Sequence, residues 1–268
     1  MKKIFVVLTA ALLAASLAGC AKKGANVDNS LDELKSRGVF VLGLDDSFPP
    51  MGFRDENNEI VGFDIDLAKT VCQRLGVKFK AQPINWDSKE QELSSGKIDC
   101  IWNGLTITED RKKALSFTKP YLANKQVVVV RKDSGFKALA DLKGKKIALQ
   151  SGSSAEDAVN DSPDFKNSVT EIVQLEQNLM ALNDLVIGGV DGVVMDSIVA
   201  EYAIKQSNLP LVTFEESLAA EEYGVAFRKN DVKLTEAVQK TLEEMAADGT
   251  VEKISYAWFG SDITVIGK

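Results

Sequence analysis

Two segments of the chain carry groups that could together bind the carboxylate of a small molecule. In the first, Asn103-Gly104-Leu105-Thr106 follows a predicted strand, and Arg111 lies one turn into the next helix. A guanidinium binds a carboxylate through two parallel hydrogen bonds, a geometry that lysine cannot supply. In the second, Gln150-Ser151-Gly152-Ser153-Ser154 is a glycine turn at a helix start, where free N–H groups suit an anion. The alternatives are an exposed Arg111 paired with a neighbouring acid, and a Ser153 that simply caps its helix.

Acidic residues follow two other predicted strands. Asp196 comes directly after an apolar strand, and a buried carboxylate at that position needs a partner, which an ammonium could provide. The other role open to Asp196 is to cap the helix that begins at Ser197. Asp45 and Asp46 lie in the loop after the strand that ends at Leu44, where two acids could favour a basic or amide group.

Three aromatic side chains and an amide lie at the same predicted sheet edge. Phe48 is in the loop with Asp45, Trp86 follows the strand that ends at Pro83, and Trp102 precedes Asn103. Ligands of open α/β sheets bind beyond the carboxyl ends of the strands, so these residues could border a cleft. Packing in the core is the alternative for Phe48 and Trp86, and it is an equal alternative for Trp102.

The elements that must position these residues alternate between strands and helices. Apolar residues at helical spacing predict a helix from Asp64 to Leu75, and Gly76 ends it. Such alternation predicts α/β sheets covered by helices on both faces. A weak internal echo relates the segment 93–101 to the segment 185–193, which suggests two lobes built on one plan; chance similarity of two βα units is the alternative. The predicted strands are Val39–Leu44, Val77–Pro83, Ile98–Ile101, Gln126–Arg131, Lys146–Leu149, Val169–Val173, Val190–Met195, Leu211–Phe214 and Tyr223–Phe227.

Composition excludes several classes of function. The net charge is −7 and the isoelectric point is near 4.9, which argues against a nucleic-acid partner. The chain contains no histidine, so imidazole cannot serve as a metal ligand or general base. Cys72 and Cys100 are predicted to be buried free thiols rather than a disulfide or a metal site. We expect no cofactor and no bound metal.

The N-terminus has the pattern of an export signal. Lys2 and Lys3 precede an apolar segment, Ile4–Leu17, that is too short for a stable membrane span. The segment Leu17-Ala18-Gly19-Cys20 resembles the lipobox of bacterial lipoproteins, which implies that 1–19 is removed and Cys20 becomes lipidated. The residues up to 30 would then form a tether. An ordinary secretory cleavage site is the alternative.

The segment from Gly62 to Leu75, Gly-Phe-Asp-Ile-Asp-Leu-Ala-Lys-Thr-Val-Cys-Gln-Arg-Leu, resembles the signature of family 3 extracellular solute-binding proteins. Locally, Asp64 is expected to cap the helix. The resemblance extends from about Leu31 to Ile263. It implies a two-lobe periplasmic-binding-protein-like fold (type II), each lobe a mixed, mostly parallel sheet flanked by helices, with a two-strand hinge. Lobe 1 would comprise 31–122 and 225–268, lobe 2 would comprise 126–222, and the hinges would lie near 121–125 and 220–224.

The resemblance also assigns roles to the residues described above. In the family, the block around Arg111 and the serines after Gly152 hold the main chain of an amino acid, and an acid at the position of Asp196 pairs with its ammonium. Aromatic residues sandwich the ligand side chain, and an acid at the position of Asp45 often contacts a distal nitrogen. The implied ligand-binding residues are Asp45, Phe48, Trp86, Asn103, Gly104, Thr106, Arg111, Ser153, Ser154 and Asp196.

The implied function is capture of a polar amino acid outside the cytoplasm and its delivery to the permease of an ABC importer by hinge closure. The ligand would be basic, amide-like or cystine-like, and the protein would be a monomer anchored to the membrane by lipid, with no catalytic residues. Two alternative functions remain. One is a dehydratase of cyclic acids on the same fold, for which Asp45 could act as the acid–base group. The other is a ligand-sensing module.

Overall fold

The computed structural model describes residues 28–268. The predicted signal segment, the lipidation at Cys20 and most of the tether lie outside the described residues. Within the described residues, no helix combines the length and apolar character needed to cross a membrane. Cys72 and Cys100 are buried free thiols, as predicted.

The described part of the chain contains ten α-helices and thirteen strands. The helices are α1 (Ser30–Arg37), α2 (Phe63–Leu75), α3 (Lys89–Ser94), α4 (Glu109–Ala114), α5 (Ser154–Asn160), α6 (Pro163–Ser168), α7 (Asn178–Ile187), α8 (Ser197–Gln206), α9 (Val232–Ala247) and α10 (Thr250–Phe259). The strands are β1 (Val39–Leu44), β2 (Ser47–Phe48), β3 (Gly52–Arg54), β4 (Ile60–Val61), β5 (Lys78–Pro83), β6 (Cys100–Ile101), β7 (Leu115–Phe117), β8 (Leu122–Arg131), β9 (Lys146–Gln150), β10 (Glu171–Leu175), β11 (Gly192–Asp196), β12 (Leu211–Tyr223) and β13 (Ala226–Arg228).

The fold has two lobes, each built on a mixed five-stranded sheet. In the first sheet the order is β5-β1-β6-β13-β7, and β1 is parallel to both of its neighbours. In the second sheet the order is β10-β9-β11-β8-β12, and β9 is parallel to both of its neighbours. Apolar strands such as β1 and β11 are buried because helices pack against the sheets.

The chain passes between the two sheets twice, before β8 and after β12. These two strands pair antiparallel from Leu122 opposite Tyr223 to Arg131 opposite Leu211. The sequence pattern predicted that the second strand ends near Phe214, which is wrong. The strand continues to Tyr223 with irregular register between Thr213 and Ala219, because β8 supplies hydrogen-bond partners along its whole length.

The entry to α2 requires glycine. Gly62 has a φ of +146°, and a Cβ built on it would lie 2.2 Å from the carbonyl oxygen of Met51. The backbone N–H of Asp64 donates to that same carbonyl at 3.0 Å, so the close approach ties the helix start to the loop before β3. A side chain at position 62 would therefore push apart two segments that pack directly on each other.

We predict that Gly62→Ala lowers the free energy of unfolding by at least ~2 kcal/mol, because it adds both backbone strain and a clash with main-chain atoms. Gly96→Ala is the matched control: its φ is +77°, but no atom lies within 4 Å of the added Cβ. The control should lose only about 1 kcal/mol. Urea denaturation measures both values, and equal losses would contradict this account of Gly62.

Candidate functional site

The predicted site residues of the two lobes meet at the strand ends. Asp45 follows β1 and accepts a hydrogen bond from Nε2 of Gln150, the last residue of β9, at 2.7 Å. Thr106 Oγ1, in the loop after β6, lies 3.0 Å from Ser154 Oγ, at the start of α5. Both contacts join residues that are far apart in sequence. The structure thus brings the two predicted carboxylate-binding segments into direct contact.

Arg111 is buried at this contact rather than exposed. Its guanidinium is held by backbone carbonyls of both segments: NH1 donates to the oxygen of Thr106 at 2.9 Å, and NH2 to the oxygen of Gly152 at 3.5 Å. The neighbouring acids Glu109 and Asp110 pair instead with the lysines that follow on α4. The surface ion-pair interpretation of Arg111 is therefore wrong. Burial lowers the pKa of Arg111, although nearby acids oppose this shift.

The serines of the second segment differ in their contacts. The hydroxyl of Ser153 donates to the carbonyl of Gln150 at 2.7 Å and makes no capping hydrogen bond to α5. The hydroxyl of Ser154 faces Thr106 and receives a hydrogen bond from Gln126 Nε2 at 3.2 Å. Simple capping by Ser153, the alternative raised by the sequence, is therefore wrong. Ser154 is the serine whose side chain reaches the other lobe.

Asp196 is buried at the end of β11. Its Oδ1 accepts hydrogen bonds from Asn124 Nδ2 at 2.6 Å, Gln126 Nε2 at 3.0 Å and the hydroxyl of Tyr223 at 2.6 Å. Its side chain does not cap α8. Burial raises the pKa of Asp196, and the nearby carboxylate of Glu221 raises it further. The carboxylate of Asp196 is thus held in place by neutral donors, and a neighbouring cation would stabilise its ionised form.

Four polar residues of the paired strands β8 and β12 contribute to this region and were not predicted. Asn124, Gln126 and Tyr223 donate hydrogen bonds to Asp196. Glu221 accepts from the same two amides, Asn124 and Gln126. One available signal was the alternation of polar residues in Leu122–Arg131, where Asn124 and Gln126 are buried before an apolar run. Period-two alternation places both side chains on one face of the strand.

Asp64 positions the loop that carries Asn103 and Gly104. The expected capping of α2 by Asp64 is wrong, because its side chain makes no capping hydrogen bond. Instead, Oδ2 accepts from the backbone N–H of Gly104 at 2.8 Å and from the hydroxyl of Tyr121 at 2.9 Å. Burial raises the pKa of Asp64 to about 7, which these two hydrogen bonds only partly offset. Helix α2 is thus attached directly to the loop that carries Asn103 and Gly104.

Asn103 and Asp45 are linked by their own hydrogen bond. The side-chain oxygen of Asn103 accepts from the backbone N–H of Asp45 at 3.0 Å. The carboxylate of Asp45 also accepts from the N–H of Ser47 and from Gln150. Burial raises the pKa of Asp45 to about 6 in spite of these hydrogen bonds. The loops after β1 and β6 are therefore held side by side at the edge of the sheet.

The aromatic residues occupy different environments. A Cβ on Gly104, whose φ is +60°, would lie 2.8 Å from the ring of Phe48, so that ring covers the loop backbone. Trp86 is largely buried, with Nζ of Lys89 lying 5.2 Å from its ring centroid. The same ammonium donates to the oxygen of Gly152 at 2.7 Å, across the cleft. Trp102 is fully buried, so its core interpretation is confirmed.

Two cavities border the contact between the lobes. One, of about 240 Å³, is lined by Asp45, Asp46, Pro83, Ile84, Asn85, Trp86, Glu176 and Gln177. Among these described lining residues, three are acids and none is a base. The other, of about 610 Å³, contains Lys89 and Arg111 together with six acids, which are Glu90, Glu109, Asp110, Glu156, Asp157 and Asp161. Within residues 28–268, no group of His, Cys, Asp and Glu could hold a metal ion.

Comparison with known proteins places this geometry in context. The family described as bacterial extracellular solute-binding proteins, family 3, matches residues 40–261. The L-cystine-binding protein TcyJ of Escherichia coli K12 is 30% identical over 259 residues, covering 96% of each chain. The ABC transporter arginine-binding protein 1 of the same strain is 35% identical, covering 81% of this chain and 89% of that protein. A substrate-binding protein of an ABC uptake transporter from Streptococcus pneumoniae, solved with bound histidine, has a TM-score of 0.87 and 34% identity, covering 90% of this chain and all of that one.

The buried acids predict that the ligand-free protein loses stability as the pH rises from about 4 to 7. The pKa of Asp45 is raised to about 6 and that of Asp64 to about 7, against an ordinary value of 3.8. The folded state therefore binds more protons than the unfolded state in this interval, and each such group contributes roughly 1.4 kcal/mol per pH unit. The stabilisation is complete below pH 3.8 and is lost as the pH rises through the folded-state values.

Thermal unfolding between pH 4.5 and 7.5 measures this effect. The melting temperature should fall across the range, and Asp64→Asn should make the fall shallower because an amide does not ionise. Acids with a lowered pKa, such as Glu109, oppose this trend only near the lower end of the range, because an unfolded-state glutamate is ionised above its ordinary pKa of 4.5. A melting temperature that rises with pH would contradict the assignment.

Proposed function

The chain belongs to family 3 of the bacterial extracellular solute-binding proteins, and on that premise we propose that it is the amino-acid receptor of an ABC importer. Members of this family act outside the cytoplasm. The observation that carries the proposal is the buried guanidinium of Arg111, which lies between the loop after β6 and the turn after β9. A buried cation at the junction of two lobes is suited to an anionic ligand.

The ligand carboxylate binds to Arg111 and to the segment that begins at Ser153. The guanidinium has five N–H donors, of which the carbonyls of Thr106 and Gly152 use two. The hydroxyls of Thr106 and Ser154 come from different lobes and lie 3.0 Å apart. Both donate to Glu221 in this structure, and both would turn to a bound carboxylate. Because these donors come from two lobes, the carboxylate is gripped only when the lobes are together.

The ligand ammonium binds to Asp196. Burial penalises the ionised carboxylate of Asp196, and a bound ammonium would offset that penalty. Backbone groups of Asn103 and Gly104 lie at the adjoining strand end and complete the main-chain site. Asp64 fixes this loop through the N–H of Gly104.

The ligand side chain enters the acid-lined cavity, and its distal group is cationic. Asp45 and Asp46 come from one lobe and Glu176 from the other, while Trp86 supplies an aromatic wall and Phe48 lies over the adjoining loop. Three acids without a base favour an arginine or lysine side chain over an acidic one. They also disfavour cystine, whose second carboxylate would lie among like charges.

Closure joins the two lobes through polar contacts that an open form would lack. Gln150 donates to Asp45, Lys89 donates to the oxygen of Gly152, and Asn85 donates to Glu176 at 3.1 Å. We assign 31–122 and 225–268 to lobe 1 and 126–222 to lobe 2, with hinges at 121–125 and 220–224. The closed form delivers its ligand to the permease, as hinge closure does in this class of protein.

Lipidation of Cys20, after removal of 1–19, anchors the receptor at the outer face of the cell membrane as a monomer. Binding occurs without turnover in this proposal, which is supported by the relatives described above, since their names are those of binding proteins. Metabolic labelling with a palmitate analogue tests the anchor, with Cys20→Ala as the control. Turnover assays with cyclic carboxylic acids test whether the protein converts a ligand, and product formation above background would overturn the claim that it only binds.

We predict that Arg111→Ala weakens amino-acid binding by at least ~2 kcal/mol, because the ligand carboxylate is left without its charged partner. Lys113→Ala is the matched control, since this lysine lies on the same helix but is exposed and paired with Asp110. Titration calorimetry of both variants measures the difference. Binding by Arg111→Ala within threefold of the wild type would refute the role of Arg111.

A thermal-shift screen of the twenty amino acids plus cystine tests the ligand class. L-arginine or L-lysine should give the largest shift, and Asp45→Asn and Glu176→Gln should each reduce it by removing a negative charge from the cavity. Glu171→Gln is the control. Glu171 is an exposed acid that pairs with Lys146, and it lies at the start of β10, whereas Glu176 follows the end of that strand. A larger shift with an acidic amino acid or with cystine would contradict the cationic assignment.

A further inference from the structure

We infer that Glu221, on strand β12, is a second carboxylate for the ligand's α-ammonium and acts together with Asp196. This inference rests on the proposed function, because it concerns the main-chain site of the same amino acid. It adds a ligand-binding residue from the crossover strands, which carry none of the ten residues assigned above.

The two carboxylates are joined by shared donors. Gln126 Nε2 lies 3.0 Å from Asp196 Oδ1 and 3.0 Å from Glu221 Oε2. Asn124 Nδ2 bridges the same two oxygens, at 2.6 Å and 3.1 Å. Each of these two amide nitrogens therefore bridges the same pair of carboxylate oxygens.

Glu221 also reaches the donors of the proposed carboxylate clamp. Its Oε2 accepts from Thr106 Oγ1 at 2.9 Å and from Ser154 Oγ at 3.3 Å. These hydroxyls belong to opposite lobes, while Glu221 lies opposite Asn124 in the β8–β12 pairing. The carboxylate of Glu221 thus lies where both lobes and the paired crossover strands converge, beside the place assigned to the ligand main chain.

Like charges in this arrangement favour a cation beside them. Among residues 28–268, no lysine or arginine forms an ion pair with either Asp196 or Glu221. The bridging amides and the hydroxyl of Tyr223 are neutral donors, which stabilise the carboxylates without cancelling their repulsion. Repulsion by Glu221 contributes to the raised pKa of Asp196. A cation between the two acids would relieve this repulsion.

Acceptors remain for such a cation. Glu221 Oε1 accepts a hydrogen bond from none of the described side chains, since its partners all contact Oε2. Gln126 is fully buried, yet its Oε1 has no hydrogen-bond partner in the described structure. An ammonium carries three N–H donors, so it can use both carboxylates and one further oxygen. The α-ammonium of an amino acid meets this requirement at the position already assigned to it.

The test compares two ligands with three proteins by titration calorimetry. The probes are L-arginine and 5-guanidinopentanoic acid, which is the same molecule without the α-amino group. The proteins are the wild type, Glu221→Gln and Glu222→Gln. Glu222 is the matched control because it is the next residue of the same strand and its side chain is exposed. Melting temperatures establish that each variant is folded, and Glu221→Asp replaces Glu221→Gln if the latter is not.

We expect Glu221→Gln to weaken L-arginine binding at least tenfold and to weaken binding of the des-amino analogue less than threefold. Glu222→Gln should change neither. Equal weakening of both ligands by Glu221→Gln would mean that Glu221 only supports the fold of the site, and unchanged binding of L-arginine would remove it from the site; either result overturns the inference. If the wild type binds another amino acid instead, that amino acid and its des-amino acid replace the pair. Failure of the wild type to bind any amino acid would overturn the proposed function itself.

Discussion

The antiparallel pairing of β8 and β12 is the constraint on which the rest of the site depends. Its register places Asn124 opposite Glu221. The side-chain amides of Asn124 and Gln126 both contact Asp196, which lies on the neighbouring strand β11. The same two strands carry the chain between the lobes. Under the proposed hinge closure, a change in the relative twist of these strands would move the lobes and the buried acids together, and would couple ligand contacts to closure.

Burial makes the charged residues of this site costly to leave without a partner. Asp45, Asp64, Arg111 and Asp196 are all buried, and each would be more stable ionised in water. Backbone groups and neutral side chains partly offset that cost, as with Asp64, which accepts from Gly104 and Tyr121. A zwitterion brings one positive and one negative group, so it can satisfy Arg111 and Asp196 simultaneously. Under the proposed function, the site is thus complementary to an amino acid by charge.

Much of the fold could be predicted from the sequence because its signals are local. Apolar strands followed by glycine turns and helix starts indicated an α/β arrangement. They placed Arg111 and Ser154 in the first turns of helices and Asp196 at a strand end. The contacts among those ends could not be read from local pattern, since Gln150 meets Asp45 across more than a hundred residues. Asp64 shows a different limit: a carboxylate at a helix start suits capping, yet the tertiary structure directs it to Gly104. The acids Glu215 and Glu216 interrupt the apolar pattern of β12, so the pattern did not reveal that this strand continues to Tyr223.

A crystal structure of the protein grown with the amino acid that stabilises it most would show where the ligand binds. The ligand should lie between the lobes, with its carboxylate on the guanidinium of Arg111 and its ammonium on the carboxylate of Asp196. Ligand density outside the cleft, or a carboxylate bound without any contact to Arg111, would contradict this prediction.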